Sequence, residues 1–194
     1  LRVYKYLSVI RKMLRILCEF VNEHNSCYSG NFCYSCNITI QLIPEENKIS
    51  TFDGKHVQDY SLKIDGSHDS VKHIKFENSI IPRIPHGLEF HFKNMHALIM
   101  NHCHLKLISK SDLRGMEKLI RLDLADNDLE YLPGDLFFHT RNLQKISFAS
   151  NKIKFIGSEL LEFFKDGYNI NFKNNPSIDL LFESNKGTTF DDFK

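Results

Sequence analysis

Apolar residues in the second half of the chain fall on a fixed grid. The stretch Leu119 to Phe137, LIRLDLADNDLEYLPGDLF, carries leucine at 119, 122, 124, 129 and 132, with Asn127 between the third and fourth and Pro133 after the last. Leu122 and Leu124 are two residues apart, the step that puts side chains on one face of a strand. Asn127 falls where the chain turns out of that strand. There a side-chain amide can satisfy backbone groups that no sheet partner reaches. Leu129 and Leu132 then fill the far side of a narrow core.

The same grid recurs with a period of 24, in units beginning at Val71, Met95, Leu119, Leu143 and Gly167. Positions one, four, six, eleven and fourteen of the five units give 25 sites, of which 23 are apolar; Gly167 and Ser177 are the exceptions. The chain is 42% apolar, so about ten would be expected by chance, and a true structural repeat follows. Position nine reads Ser79, Cys103, Asn127, Asn151 and Asn175, which predicts a ladder of small polar groups along one edge. Cys103 in that row reads as a buried, unpaired thiol. Apolar residues also recur on the far side of each unit, and Ser158 to Lys165 is expected to form a helical turn.

Upstream the pattern changes. Ile38 to Leu42 alternates with period two and predicts a strand; Pro44 to Asn47 is a turn, and Tyr60, Leu62 and Ile64 mark a second alternating run. Residues 1–17 are apolar but broken by Arg11, Lys12 and Arg15, which makes a poor signal peptide and too short a run for a membrane span. They are expected to be an amphipathic lead-in. Position 1 is Leu, so the N-terminus is expected to be processed or incomplete. The expected organisation is a lead-in at 1–17, a cap at 18–70, repeats at 71–180 and a polar tail at 181–194, frayed from Ser184 to Lys194.

Composition adds two things. Formal charge is +1, so there is no bulk attraction to nucleic acid or acidic membranes. Four of the five cysteines, Cys18, Cys27, Cys33 and Cys36, cluster ahead of the repeats. Their spacing lacks the paired motifs of a zinc site and reads as disulfides in an oxidising compartment. Four cysteines allow three pairings; Cys18 with Cys36 and Cys27 with Cys33 is the arrangement expected. Asn37-Ile38-Thr39 is an N-glycosylation sequon, in keeping with a secreted glycoprotein.

The repeat grid fits the template L-x-x-L-x-L-x-x-N-x-L-x-x-L-P and resembles the extracellular, typical-length leucine-rich-repeat class over residues 71–180. The lead-in segments Leu17-Cys18-Glu19-Phe20, Tyr34-Ser35-Cys36 and Ile64-Asp65-Gly66-Ser67-His68 resemble secreted insect leucine-rich-repeat proteins, of which the mosquito leucine-rich immune proteins are members. The resemblance implies an α/β leucine-rich-repeat solenoid, with a parallel sheet on its concave face and a disulfide-stapled N-terminal β cap. Such families usually close the C-terminal end with a cap beginning N-x-C or N-P-C. Here the counterpart is Asn175-Pro176-Ser177, so no disulfide cap is expected at that end.

Function is expected to lie between the core positions. In positions three and five, His73, Lys75, Ile99, Arg121, Asp123, Lys145, Ser147, Asn169 and Asn171 should face outward from the sheet as the candidate binding surface. Another protein or a glycan is the expected partner, with no nucleic acid and no stable membrane span. No catalytic residues and no cofactor are expected, because no nucleophile elbow, phosphate loop or paired carboxylates appear. His86, His91, His96, His102 and His104 sit at different points around the unit, so no metal site is expected. Asp123, Asp126 and Asp128 lack the Gly and terminal Glu of a calcium loop. The function read from the sequence is a secreted recognition module, with innate immunity among the roles implied by the resemblance. The alternatives are a matrix or cell-surface protein assembling through its lateral edges, or an intracellular scaffold.

Overall fold

A computed structural model describes residues 14–22, 34–38, 49–56, 71–77, 79–163 and 168–183. The strands in chain order are β1 (Leu14–Asn22), β2 (Tyr34–Ile38), β3 (Ile49–His56), β4 (Val71–Glu77), β5 (Ala97–Asn101), β6 (Arg121–Asp123), β7 (Tyr131–Leu132), β8 (Lys145–Ser147), β9 (Phe155–Ile156), β10 (Asn169–Asn171) and β11 (Leu181–Glu183). Helical structure among the described residues is brief: a single turn, α1 (Leu88–His91), and two 3₁₀ segments, Lys110–Leu113 and Ser158–Phe163. The molecule is therefore mostly β. Nine strands form one sheet in the order β11-β10-β8-β6-β5-β4-β2-β1-β3, and β7 pairs with β9 in a second.

The 24-residue period becomes the sheet register. His73 pairs with Ala97, Ala97 with Arg121, Arg121 with Lys145 and Lys145 with Asn169, every step parallel. Each unit is one coil of chain that leaves the sheet, crosses the core and returns one strand further on. The grid residues fill the space inside. Ile74, Leu98, Leu122 and Ile170 are fully buried, as are Phe76, Met100, Leu124, Phe148 and Phe172 one pleat on. Ile81, Leu105, Leu129 and Ile153 close the opposite wall. The rings of Phe148 and Phe172 stack at 5.6 Å, so adjacent coils are in contact through the centre of the core. On the β7–β9 side the backbones come closer still: a Cβ on Gly157 would lie 2.2 Å from the Gly134 nitrogen, which excludes any side chain there.

Backbone bonding between neighbouring coils runs on past the strands to position eight, where Asp126 donates to the Ala149 carbonyl at 2.9 Å and Ser150 to the Lys173 carbonyl at 2.8 Å, and from there the position-nine side chains take over. Asn127 Oδ1 accepts from the Cys103 and Leu105 amides at 3.0 Å each. Its Nδ2 donates to the carbonyls of Met100 (2.6 Å), Leu124 (3.1 Å) and Ala125 (3.0 Å). Asn151 and Asn175 repeat the arrangement one and two coils later, accepting from the Leu129 and Ile153 amides. Cys103 fits the same row: its Sγ lies 3.4 Å from the Phe76 carbonyl, the place that Nδ2 takes in the asparagine coils. The residue just before this row, position eight, adopts positive φ in four successive coils, at His102, Asp126, Ser150 and Asn174. That left-handed residue swings the chain out of the strand; Asn and Asp tolerate it best among side-chain-bearing residues.

The ends differ from the sequence expectation. β1 starts at Leu14, inside the segment read as a lead-in, and the sheet runs on without a break from the repeats through β2 and β1 to β3. β2 ends at Ile38, the first residue of the strand expected at Ile38 to Leu42; the rest of that run lies outside the described residues. Cys27 and Cys33, the run at Tyr60 to Ile64, and the side chains of Cys18, Cys36 and Asn37 lie outside the described residues, and so do the expected disulfides. At the other end, residues 181–183, the start of the segment read as a polar tail, belong to the sheet, and Ser184 to Lys194 lie outside the described residues. Residues 181–183 fold back as β11, antiparallel to β10, and bury Phe182 against the last coil. An apolar hairpin thus covers the end of the core where Ser177 breaks the apolar grid.

Two stability outcomes follow. Asn127→Ala leaves two amides and a buried carbonyl without partners and should cost about 2 to 4 kcal/mol in denaturant unfolding; Asn127→Asp should recover little of it, because a carboxylate oxygen would then face three carbonyls. Leu124→Ala should cost about 2 to 5 kcal/mol by opening a cavity at the centre of the stack.

Candidate functional site

The open face of the sheet is built from positions three and five, because the residues between them point into the core. The alternation is visible strand by strand: in β6, β8 and β10 the middle residue is buried and its two neighbours are not. Position three runs Ala97, Arg121, Lys145, Asn169 across the sheet, and position five runs Ile99, Asp123, Ser147, Asn171 beside it.

Six of the nine residues read from the sequence as the binding surface are brought together. Arg121, Asp123, Lys145, Ser147, Asn169 and Asn171 line one shallow cavity of about 290 Å³, which Leu181 of β11 bounds at one side. His73, Lys75 and Ile99 lie away from it, on the N-terminal side of the sheet. His73 also departs from the outward orientation expected of it: it is buried, at 7% exposure. The alternation of β4 alone does not predict this. β4 sits between β2 and β5 in the sheet, and His73 is opposite Ser35 on one side and Ala97 on the other.

The cavity is less uniform chemically than its residue list suggests. Arg121 Nη2 donates to Asp123 Oδ2 at 2.8 Å, so those two charges largely cancel. Position five also has a local task. Asp123 Oδ1 accepts from the Ala125 amide at 3.4 Å, Ser147 Oγ from Ala149 at 3.5 Å and Asn171 Oδ1 from Lys173 at 3.0 Å. Each is a side chain holding the backbone two residues on, the device by which Asp, Asn and Ser fix turns. Three unlike residues thus shape the same strand exit. The sequence carries a signal for this in the type of residue: all three are turn-formers at one position.

A second polar group, not anticipated from the sequence, lies on the side of the coils formed by positions ten and twelve. Asp128 Oδ1 accepts from Lys152 Nζ at 2.6 Å, and His104 Nδ1 is 3.2 Å from Oδ2. Glu130 and Lys154 pair at 3.0 Å next to them. The hydrogen bond from Lys152 holds the Asp128 carboxyl below its ordinary value; partial burial opposes the shift and His104 adds to it. The same contact raises the Lys152 ammonium. At the opposite edge, partial burial lowers the His96 imidazole below its usual value, and the charges of Lys72, His73 and Lys118 add to the effect. Among the described residues no cluster of three or more His, Cys, Asp or Glu side chains is placed to hold a metal ion, and no helix is long and apolar enough to cross a membrane.

A depressed folded-state pKa at Asp128 contributes stability above the unfolded value, and that contribution disappears as pH falls through the folded one. Removing the lysine partner should therefore move the carboxyl back up. In a ¹³C NMR titration, Lys152→Met should raise the Asp128 midpoint toward 3.8, the ordinary value. An unshifted Asp128 would mean that Lys152 is not its partner in solution.

Comparison with known proteins gives a likeness of fold. No protein-family profile matches the chain, and no curated protein does. Among solved structures, a chain of the Toll–Spatzle complex, described as a molecular hub in Drosophila development and innate immunity, superposes with a TM-score of 0.51 at 20% sequence identity. The match covers 69% of this chain but 18% of that one, so the present chain spans about a fifth of its structural neighbour.

Proposed function

We propose that this chain is a segment of a leucine-rich-repeat solenoid and serves as a secreted recognition module, with the partner held on the concave face of the sheet. The observation that carries the proposal is the cavity on that face, in which a cation, an ion pair, a hydroxyl and two amides converge on a rigid β scaffold. Paired strands hold these groups at fixed spacing, and such preorganisation lowers the entropic cost of binding. Support comes also from the repeat grid, from the cysteine cluster and sequon, and from a structural neighbour that is itself a protein complex. An immune role is the finer reading and rests on the resemblance of the lead-in motifs.

The volume narrows the kind of contact. About 290 Å³ is at the small end for a ligand pocket. It suits one protruding side chain of a protein or one sugar unit, with the remainder of the partner lying across the sheet. Arg121 pairs with Asp123 and Lys145 stands on the neighbouring strand, so the donors of this face make an acidic or amide group the fitting anchor. The module works by binding, without a reaction step.

The test is charge reversal. Lys145→Glu and Arg121→Glu should each weaken a crosslinked and purified extracellular partner by about tenfold or more, equal to 1.4 kcal/mol. Lys145→Glu should leave the unfolding midpoint nearly unmoved, as surface changes do. Unchanged affinity in both variants would refute binding on this face.

A further inference from the structure

Among the described residues, six large apolar side chains are exposed: Ile80, Phe90, Leu107, Tyr131, Phe138 and Phe155. They are not scattered. Phe138 lies under two cations, Lys110 and Arg141, with 5.9 and 5.5 Å from charge to ring. Leu107, Tyr131 and Phe155 instead share position thirteen of three successive coils and stand in one column at 60%, 51% and 69% exposure. Tyr131 pairs with Phe155 in the small β7–β9 sheet, and Leu107 bridges Arg83 one coil earlier. Each is followed by a buried residue, Ile108, Leu132 or the half-buried Ile156, so the pleat turns the thirteenth side chain outward without a break. Beside the column lies a groove of about 810 Å³ lined by Ile80, Pro82, Leu107 and the charged rows of positions ten and twelve. An aligned apolar stripe rimmed by charge is the anatomy of a protein contact.

The charges say which partner fits. In both rows the third coil carries the acid and the fourth carries the base: Asp128 then Lys152, Glu130 then Lys154. We propose that this lateral face is a homodimer contact, formed by two copies of the chain about a two-fold axis that lies in the face, parallel to β7 and β9 and midway between them. Such an axis exchanges the third coil for the fourth and keeps each row opposite itself. Asp128 meets Lys152 of the second copy, Glu130 meets Lys154, and Tyr131 meets Phe155. An axis along the third coil sets Glu130 against Glu130 and Lys106 against Lys154, and an axis along the stacking direction reverses the rows and sets Asp128 against Glu130. An axis midway between the second and third coils matches Lys106 with Glu130 and His104 with Asp128 but leaves Lys152 and Lys154 facing Ile80 and Pro82. The axis between the third and fourth coils is the one that matches both acid–lysine pairs, the self-complementarity an isologous interface requires.

Four coils at about 5 Å spacing make a stripe roughly 20 Å long, which places the contact at the small end of specific interfaces, where association is reversible and depends on concentration. The concave cavity lies on another side of the coil, so the dimer and the proposed partner occupy different surfaces, and each stands or falls alone.

Sedimentation velocity across about 1 to 500 µM reads the dimer directly. Wild type should shift from monomer to dimer. Phe155→Asp should remain monomeric, with circular dichroism verifying the fold. Glu130→Lys alone and Lys154→Glu alone should each weaken dimerisation by at least about tenfold, through like charges across the axis. The decisive sample is the mixture of those two variants. In a mixed dimer the two introduced side chains face each other with opposite charge, and the native Lys154 of one copy faces the native Glu130 of the other. Both contacts across the axis are then complementary, although neither variant keeps that pair within its own chain, so a heterodimer should form. A monomeric wild type at the top concentration would overturn the proposal, as would a dimer indifferent to Phe155→Asp or a mixture no more dimeric than its components. Occupation of the face by a different protein, detected as protection of Tyr131 and Phe155 in a complex that contains one copy of this chain, would overturn it too.

Discussion

Every coil of this chain has to leave a parallel sheet while still surrounded by core, and that exit strands backbone groups away from water. Buried amides and carbonyls without partners are among the costliest defects a protein can carry. Three asparagine side chains remove the defect. Asn127, Asn151 and Asn175 are each 6% exposed, and each accepts from an amide of the preceding coil while donating to carbonyls of both coils. Leu124 and Phe148 carbonyls each receive two of these amides, one from their own coil and one from the next. The ladder therefore joins coils to each other as well as closing each exit. Cohesion along the stack comes from this row together with sheet hydrogen bonds on one wall and apolar contact between.

The apolar positions are free to vary because the polar ladder fixes the path. Position six holds Phe, Met, Leu, Phe and Phe in turn, all fully buried, so neighbouring coils adjust to different volumes. The ends of the stack are treated differently. On the N-terminal side the sheet simply continues, with β2 parallel to β4 and β1 antiparallel to β2. On the C-terminal side β11 reverses direction and Phe182 covers the core, a closure made from apolar surface.

Much of this is legible in the sequence, and the parts that are not share a cause. The period, the core positions and the ladder can be read because each is one kind of residue recurring at one spacing. The left-handed eighth position cannot: His102, Asp126, Ser150 and Asn174 have a backbone conformation in common but no side-chain chemistry. β11 escapes notice because Leu181-Phe182-Glu183 is three residues long, too short for alternation to register against a polar tail. Alternation assigns His73 to the surface, and it knows nothing of burial contributed by the strands beside it. Of the candidate site, the row of outward residues is legible, and so is the turn-forming type of Asp123, Ser147 and Asn171, whose bonds reach only two residues along the chain. The lateral column of Leu107, Tyr131 and Phe155 is not, because it depends on which residues the stacking makes neighbours.

Both proposed surfaces require the same thing of the scaffold: side chains from separate coils must keep their spacing, and the ladder is what holds it. Native-state hydrogen exchange of the amides that the asparagine oxygens accept from, those of Cys103, Leu105, Leu129 and Ile153, tests this most directly. These amides lie outside or beyond the regular strands, yet the ladder predicts that they exchange as slowly as the sheet amides of Leu98 and Leu122, by whole-stack unfolding. Exchange at the rate of exposed loop amides, while the sheet stays protected, would contradict it.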